Sequence, residues 1–155
     1  DLKQYIGLII GSEEFLLPIS FVNEIIMLSP ITYVPGAPEY VSGVINLRGH
    51  IIPALNVREM MGLELKMPDS QSRIVVVKHL DFLAGLIVDW ITYVMPLGEN
   101  DIQSNALSAK SIGADLISAI GNRSDRIHGI LSVEKIVNCV AGGRLELSDD
   151  DASDE

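Results

Sequence analysis

Side chains able to do chemistry are sparse in this chain, and their spacing points away from an active site. His50, His79 and His128 lie far apart, without the close Cys/His pairing that zinc sites use. Each is expected at a strand end or turn, as a structural or exposed side chain. Cys139 stands among Ile136, Val137 and Val140 and reads as a small buried hydrophobe rather than a reactive thiol. Asp81, Asp89, Asp101 and Asp115 could pair as acid and base, but as isolated residues near turn signals they read as solvated carboxylates. The sequence has no Gly-x-Ser-x-Gly elbow, Gly-x-Gly-x-x-Gly turn or phosphate-binding loop, and its 13 glycines are scattered. No catalytic residue, metal or cofactor is expected.

Two other groups suggest binding. Arg48 is the penultimate residue of Gly43-Val44-Ile45-Asn46-Leu47-Arg48-Gly49, between two apolar runs. An arginine in a tight turn must be exposed or find a carboxylate, because an unpaired buried guanidinium is costly. Glu24 is the candidate partner, against the plainer reading of an ordinary surface arginine. The second group is Val22, Ile25 and Ile26 with the distant Ile74 and Val94. Converging, these would form an apolar groove suited to a partner helix. As a bare pattern, such residues more often belong to a core.

The elements that must position these residues are mostly short strands. Residues 4–10 and 15–17 flank Gly11-Ser12-Glu13-Glu14, and 44–47 and 51–55 flank a turn of hairpin length. Residues 73–78 and 83–88 form another strand pair, followed by an extended 93–95 that stops at Pro96. A last hairpin is expected over 115–121 and 126–132. Residues 19–27 carry apolar side chains near helical spacing, which predicts one or two helical turns after Pro18. Residues 31–34 read as strand, 57–61 as a helical turn stopped by a left-handed Gly62, and 63–72 and 98–113 as loops. Ser132 is a plausible N-cap for a helix over 133–139.

The chain has 155 residues, enough for one domain with a sizeable core. It is 48% hydrophobic but only 5% aromatic, so the core is aliphatic. The formal net charge of −10 excludes the basic stripe that nucleic acid demands. Residues 146–155 concentrate acidic side chains, and 145–155 read as a solvated, disordered tail, leaving 1–144 as the folded unit. Apolar runs are cut by Pro, Gly or charge before reaching membrane-spanning length. The opening residues lack the order of a secretory signal, and a single cysteine suits a reducing cytoplasm.

Four stretches together resemble the CheW-like family, the coupling proteins of bacterial chemoreceptor arrays. They are Leu17-Pro18-Ile19 with Val22 and Glu24-Ile25; 34–41; 43–49 with 51–58 and Gly62-Leu63; and 73–77 with 85–89. A weaker match is Ile130-Leu131 with 133–136. The resemblance spans about 4–140 and implies a mainly β fold: two small five-stranded β-barrel subdomains with a few short helices. It also implies a noncatalytic, cytoplasmic adaptor. Its partners would be a chemoreceptor's cytoplasmic tip, held between the barrels, and the regulatory domain of a CheA-type histidine kinase. By position, Val22, Glu24, Ile25, Arg48, Ile74 and Val94 fall on the receptor groove or its support, and Glu24 and Arg48 match a family carboxylate–arginine pair. The alternatives are a CheW-like module of a pilus or other two-component pathway, or a small-ligand-binding β-barrel. Asn56 departs from the family, standing where an aspartate commonly occurs, and 99–110 lacks the usual prolines.

Overall fold

The computed structural model describes residues 1–104 and 116–140. The chain forms two sheets from β-branched and aliphatic runs broken at turns. The first contains β1 (Lys3–Ile10), β2 (Glu13–Pro18), β8 (Trp90–Leu97), β9 (Ile102–Ser104), β10 (Ile117–Arg123) and β11 (Arg126–Leu131). The second contains β3 (Val22–Met27), β4 (Val41–Leu47), β5 (His50–Asn56), β6 (Arg73–His79) and β7 (Phe82–Val88). Their orders are β8-β1-β2-β11-β10-β9 and β3-β6-β7-β5-β4. Pairing is antiparallel except for β2 with β11 and β5 with β7. Two helices complete the frame: α1 (Val57–Met60) and α2 over 133–140.

Strand alternation sends side chains to two faces, and each face has its own core. Ile6, Leu8, Leu55, Val75, Val77 and Leu86 meet between the sheets, joined by Val133, Ile136 and Val137 of α2. The opposite face of the second sheet buries Ile45, Ile52, Ala54, Ile74 and Val76, with Ile26 packed against them. Because Ile26 and Ile45 come from the two edge strands, this sheet must curl around its cluster. The first sheet curls likewise around Tyr5, Leu16, Met95, Leu97 and Ile130. The mainly β architecture is as expected, but the first sheet has six strands rather than five. Neither ladder closes into a barrel among the described residues: β3 and β4 stay edges, as do β8 and β9.

Several local expectations change. Only Ile19–Phe21 is helical, as a single 3-10 turn, and Val22–Met27 is strand. The β-branched Val22, Ile25 and Ile26 gain a full ladder with β6, which outweighs their helical spacing. Residues 31–34 supply a single bridge, Thr32 with Val44, instead of a strand. β8 runs through Pro96, tolerated because β8 is an edge. The 98–113 stretch includes a 3-10 turn, Glu99–Asp101, and β9. Residues 105–113, Asp115 and the 145–155 tail lie outside the described residues. Cys139 is exposed rather than buried, since the buried stripe of α2 falls on Val133, Ile136, Val137 and Val140.

Candidate functional site

The hairpin between β4 and β5 places Arg48. Arg48 and Gly49 both have positive φ, at 52° and 86°, as a two-residue hairpin turn of the primed type requires. Asn46 Oδ1 accepts from the Gly49 N–H at 2.9 Å and pins the turn. Gly43, earlier in β4, has φ 153°, and a Cβ there would overlap the Thr32 carbonyl oxygen. The glycines of this stretch thus serve the backbone, leaving Arg48 as its projecting side chain.

Arg48 does find Glu24. Its Nη2 donates to Glu24 Oε1 at 2.7 Å, and its Nη1 donates to Glu24 Oε2. The guanidinium side chain is 72% exposed and the carboxylate 20%. The hydrogen bond from Arg48, with its charge, holds the Glu24 carboxyl below its usual range, and the same contact raises Arg48. Glu24 registers opposite Val76 and Ile26 opposite Ile74, so Glu24 shares the inner face of the curled second sheet. Since β3 is one edge and the β4–β5 turn hangs from the other, this pair links edges that the backbone ladder leaves apart.

The remaining residues of the expected groove separate by depth. Ile74 is 0% exposed, inside the second sheet's cluster, and can only support a surface from beneath. Val22 is half-buried against the inter-sheet core. Ile25 registers opposite Val75 of that core but remains 40% exposed at the sheet edge. Val94 lies on the other sheet: opposite Ile6 on edge strand β8, and 47% exposed. Ile25 and Val94 therefore sit on edge strands of different sheets, on the faces turned toward the shared core. The Ile19–Phe21 turn joining β2 to β3 packs against both β1 and β6.

Comparison with known proteins then decides the family. A model of the CheW-like domain matches residues 4–140. The chain belongs to the CheW-like family. It is 36% identical over 137 residues to the chemotaxis protein CheW of Helicobacter pylori, covering 88% of this chain and 82% of that one. It is also 39% identical over 84 residues to protein PilI of Pseudomonas aeruginosa, covering 54% and 47%. The crystal structure of the scaffolding protein TtCheW from Thermoanaerobacter tengcongensis superposes with a TM-score of 0.80 at 31% identity, covering 86% and 90%.

In this CheW-like domain a second ion pair emerges that sequence reading missed. Asp89, expected to be a solvated turn carboxylate, takes Arg58 Nε at 3.1 Å and Nη2 at 2.5 Å. It also accepts the Gly11 N–H at 2.8 Å, while its own N–H reaches the Ile9 carbonyl at 3.0 Å. Burial alone would raise the Asp89 carboxyl, but Arg58 and the Gly11 N–H prevail and lower it. Because Asp89 links β7 to β8, this pair ties one sheet to the other. The only sequence signals were the arginine following Asn56-Val57 and the aspartate ending an apolar strand. Asn56 itself caps α1, accepting the Glu59 N–H at 3.2 Å, a task asparagine performs as well as aspartate. Beside the pair lies a cleft of about 460 Å³ lined by Asn56, Arg58, Lys66 and Asp89 among others. Arg58 Nη1 is also engaged, donating to the Glu64 carbonyl at 2.7 Å.

His50 begins β5 and His79 ends β6, as expected. His128 instead lies within β11, half-buried, with Nε2 3.4 Å from Glu14 Oε1. Among the described residues, no group of three or more His, Cys, Asp or Glu side chains could hold a metal ion.

Proposed function

We propose that this domain is a noncatalytic coupling adaptor of chemotaxis signalling. One groove, between the two sheets, holds the cytoplasmic tip of a chemoreceptor while another face binds the regulatory domain of a CheA-type histidine kinase. The observation that carries this reading is the Glu24–Arg48 pair, which ties the second sheet's edges from its inner face while the next residue, Ile25, stands exposed on the face toward the first sheet. A receptor tip is a helical coiled coil with apolar stripes. Val22 and Ile25 on one edge and Val94 on the other offer aliphatic walls for such a helix, while Ile74 packs the cluster on the second sheet's other face. The ion pair adds orientation rather than much affinity, because exposed pairs contribute little net free energy. The adaptor works by simultaneous binding, so receptor motion passes to the kinase through a shared scaffold.

The reading places the protein in the cytoplasm, at receptor arrays through its partners and with no nucleic acid involved. No helix among the described residues is long and apolar enough to cross a membrane. The identity with PilI favours a second reading, in which the same domain serves another two-component pathway. A small-ligand barrel fits less well, because Arg58 and Asp89 in the cleft already satisfy each other. Calorimetric titration of the chain with the host's chemotaxis kinase regulatory domain, then with a receptor-tip fragment, tests the assignment. One-to-one binding of both at micromolar strength or tighter is expected. Binding of neither by folded protein would overturn it, and binding only of another pathway's kinase would establish the second reading.

A further inference from the structure

The β1–β8 ladder contains an irregularity beside Val94. Ile6 registers with Val94 and Leu8 with Ile91, so the single residue Gly7 faces two residues, Thr92 and Tyr93. Such a bulge bends an edge strand and re-aims the side chains next to it. Here it is bound from the inner side of the sheet. Thr92 Oγ1 donates to Glu14 Oε2 at 2.5 Å. Glu14 Oε1 lies 3.4 Å from His128 Nε2, and the Glu14 carbonyl lies 3.2 Å from His128 Nδ1. The Glu14 and His128 side chains are only 11% and 10% exposed. Gly7 is part of the arrangement, because a Cβ there would overlap Thr92 Oγ1 and crowd Glu14 Oε2 at 2.7 Å.

The network draws one side chain from each of β2, β8 and β11 and requires the missing one on β1. None of the four residues lies on the expected groove, yet the bulge they fix immediately precedes Val94. Loss of the bulge would slip the register by one residue and exchange the two faces of β8 beyond it.

We propose that Gly7, Glu14, Thr92 and His128 are positioning residues for receptor docking, which rests on the receptor-groove reading. By holding the bulge at Thr92–Tyr93 they present Val94 to the receptor helices. Thr92→Val keeps the shape of the side chain and removes its donor. Against a receptor-tip fragment, the full chain carrying Thr92→Val is expected to bind about tenfold more weakly. Thr92→Ser, which restores the hydroxyl, should bind like the parent chain. Neither change should alter affinity for the kinase regulatory domain. Gly7→Ala, which breaks the network from the other side, should repeat the selective loss. Amide exchange at Tyr93 and Val94 should quicken in Thr92→Val while that of β2 stays unchanged. Unaltered receptor binding by Thr92→Val, alongside weakened binding by Val94→Ala, would overturn the positioning role and keep the groove. Equal weakening toward both partners would overturn it as general destabilisation. Normal receptor binding by both Val94→Ala and Arg48→Glu would remove the groove reading, and the positioning role with it.

Discussion

Arg48 holds a left-handed backbone conformation, which costs a side-chain-bearing residue about 1 kcal/mol that glycine or asparagine largely escapes. The turn does not call for an arginine there; what its guanidinium reaches, Glu24, does. Arg48→Asn should therefore leave thermal stability unchanged or slightly raised while weakening receptor binding. Arg48→Glu sets like charges at Glu24 and should weaken it further in a folded protein, as circular dichroism and titration would show together. The Arg58–Asp89 pair is different in kind, since both side chains are mostly buried and tie the sheets together. Arg58→Ala should cost about 2 kcal/mol in urea unfolding, because it leaves a charge with fewer partners. Asp89 is lowered in the folded state, so the unfolded chain takes up its proton first. The stabilisation is full above the unfolded-state value of about 3.9 and is lost as pH falls through the folded one. Acidification should thus destabilise the parent chain more steeply than Asp89→Asn. Glu24 and Arg48 were legible from the arginine's turn and the family resemblance. Asp89 was not, because its partner comes from another element and nothing in an apolar strand's end announces an ion pair.

At the scale of elements, hairpins were the most readable, because turn residues and alternation act locally. The 43–56 stretch is an example: Gly43, the Arg48–Gly49 turn and the apolar runs all agree with the ladder found. Gly43→Ala should destabilise by about 1–3 kcal/mol, since a methyl would meet the Thr32 carbonyl at an unfavourable φ. Thermal unfolding checks it, and an unchanged midpoint would show that the bridge at Thr32 yields easily. β3 was misread because its ladder partner, β6, lies far along the chain, and distant pairing overrides helical spacing. Cys139 was misread by one step of helical phase, which apolar neighbours alone do not define. The β8 bulge was invisible too: Gly7 resembles an ordinary strand glycine until Thr92 and Glu14 are seen to need its space.

The whole molecule is two curled sheets with separate inner clusters and one shared core, crossed by the Asp89 connection. That arrangement gives each sheet its own outer surface and leaves two edge strands, β3 and β8, at the margin of the shared core. Composition disclosed the aliphatic β character and the family resemblance its two subdomains, whereas open ladders and a sixth strand depend on pairings no local pattern specifies. A coupling adaptor must use its surfaces at the same time, so the decisive measurement is a ternary one. A receptor-tip fragment should be titrated calorimetrically into this chain already saturated with the kinase regulatory domain. The expected result is one-to-one binding with the affinity seen for the chain alone, giving a three-part complex by sedimentation. Displacement of the kinase domain by the receptor fragment would contradict the account, because it would mean that one surface serves both partners in turn.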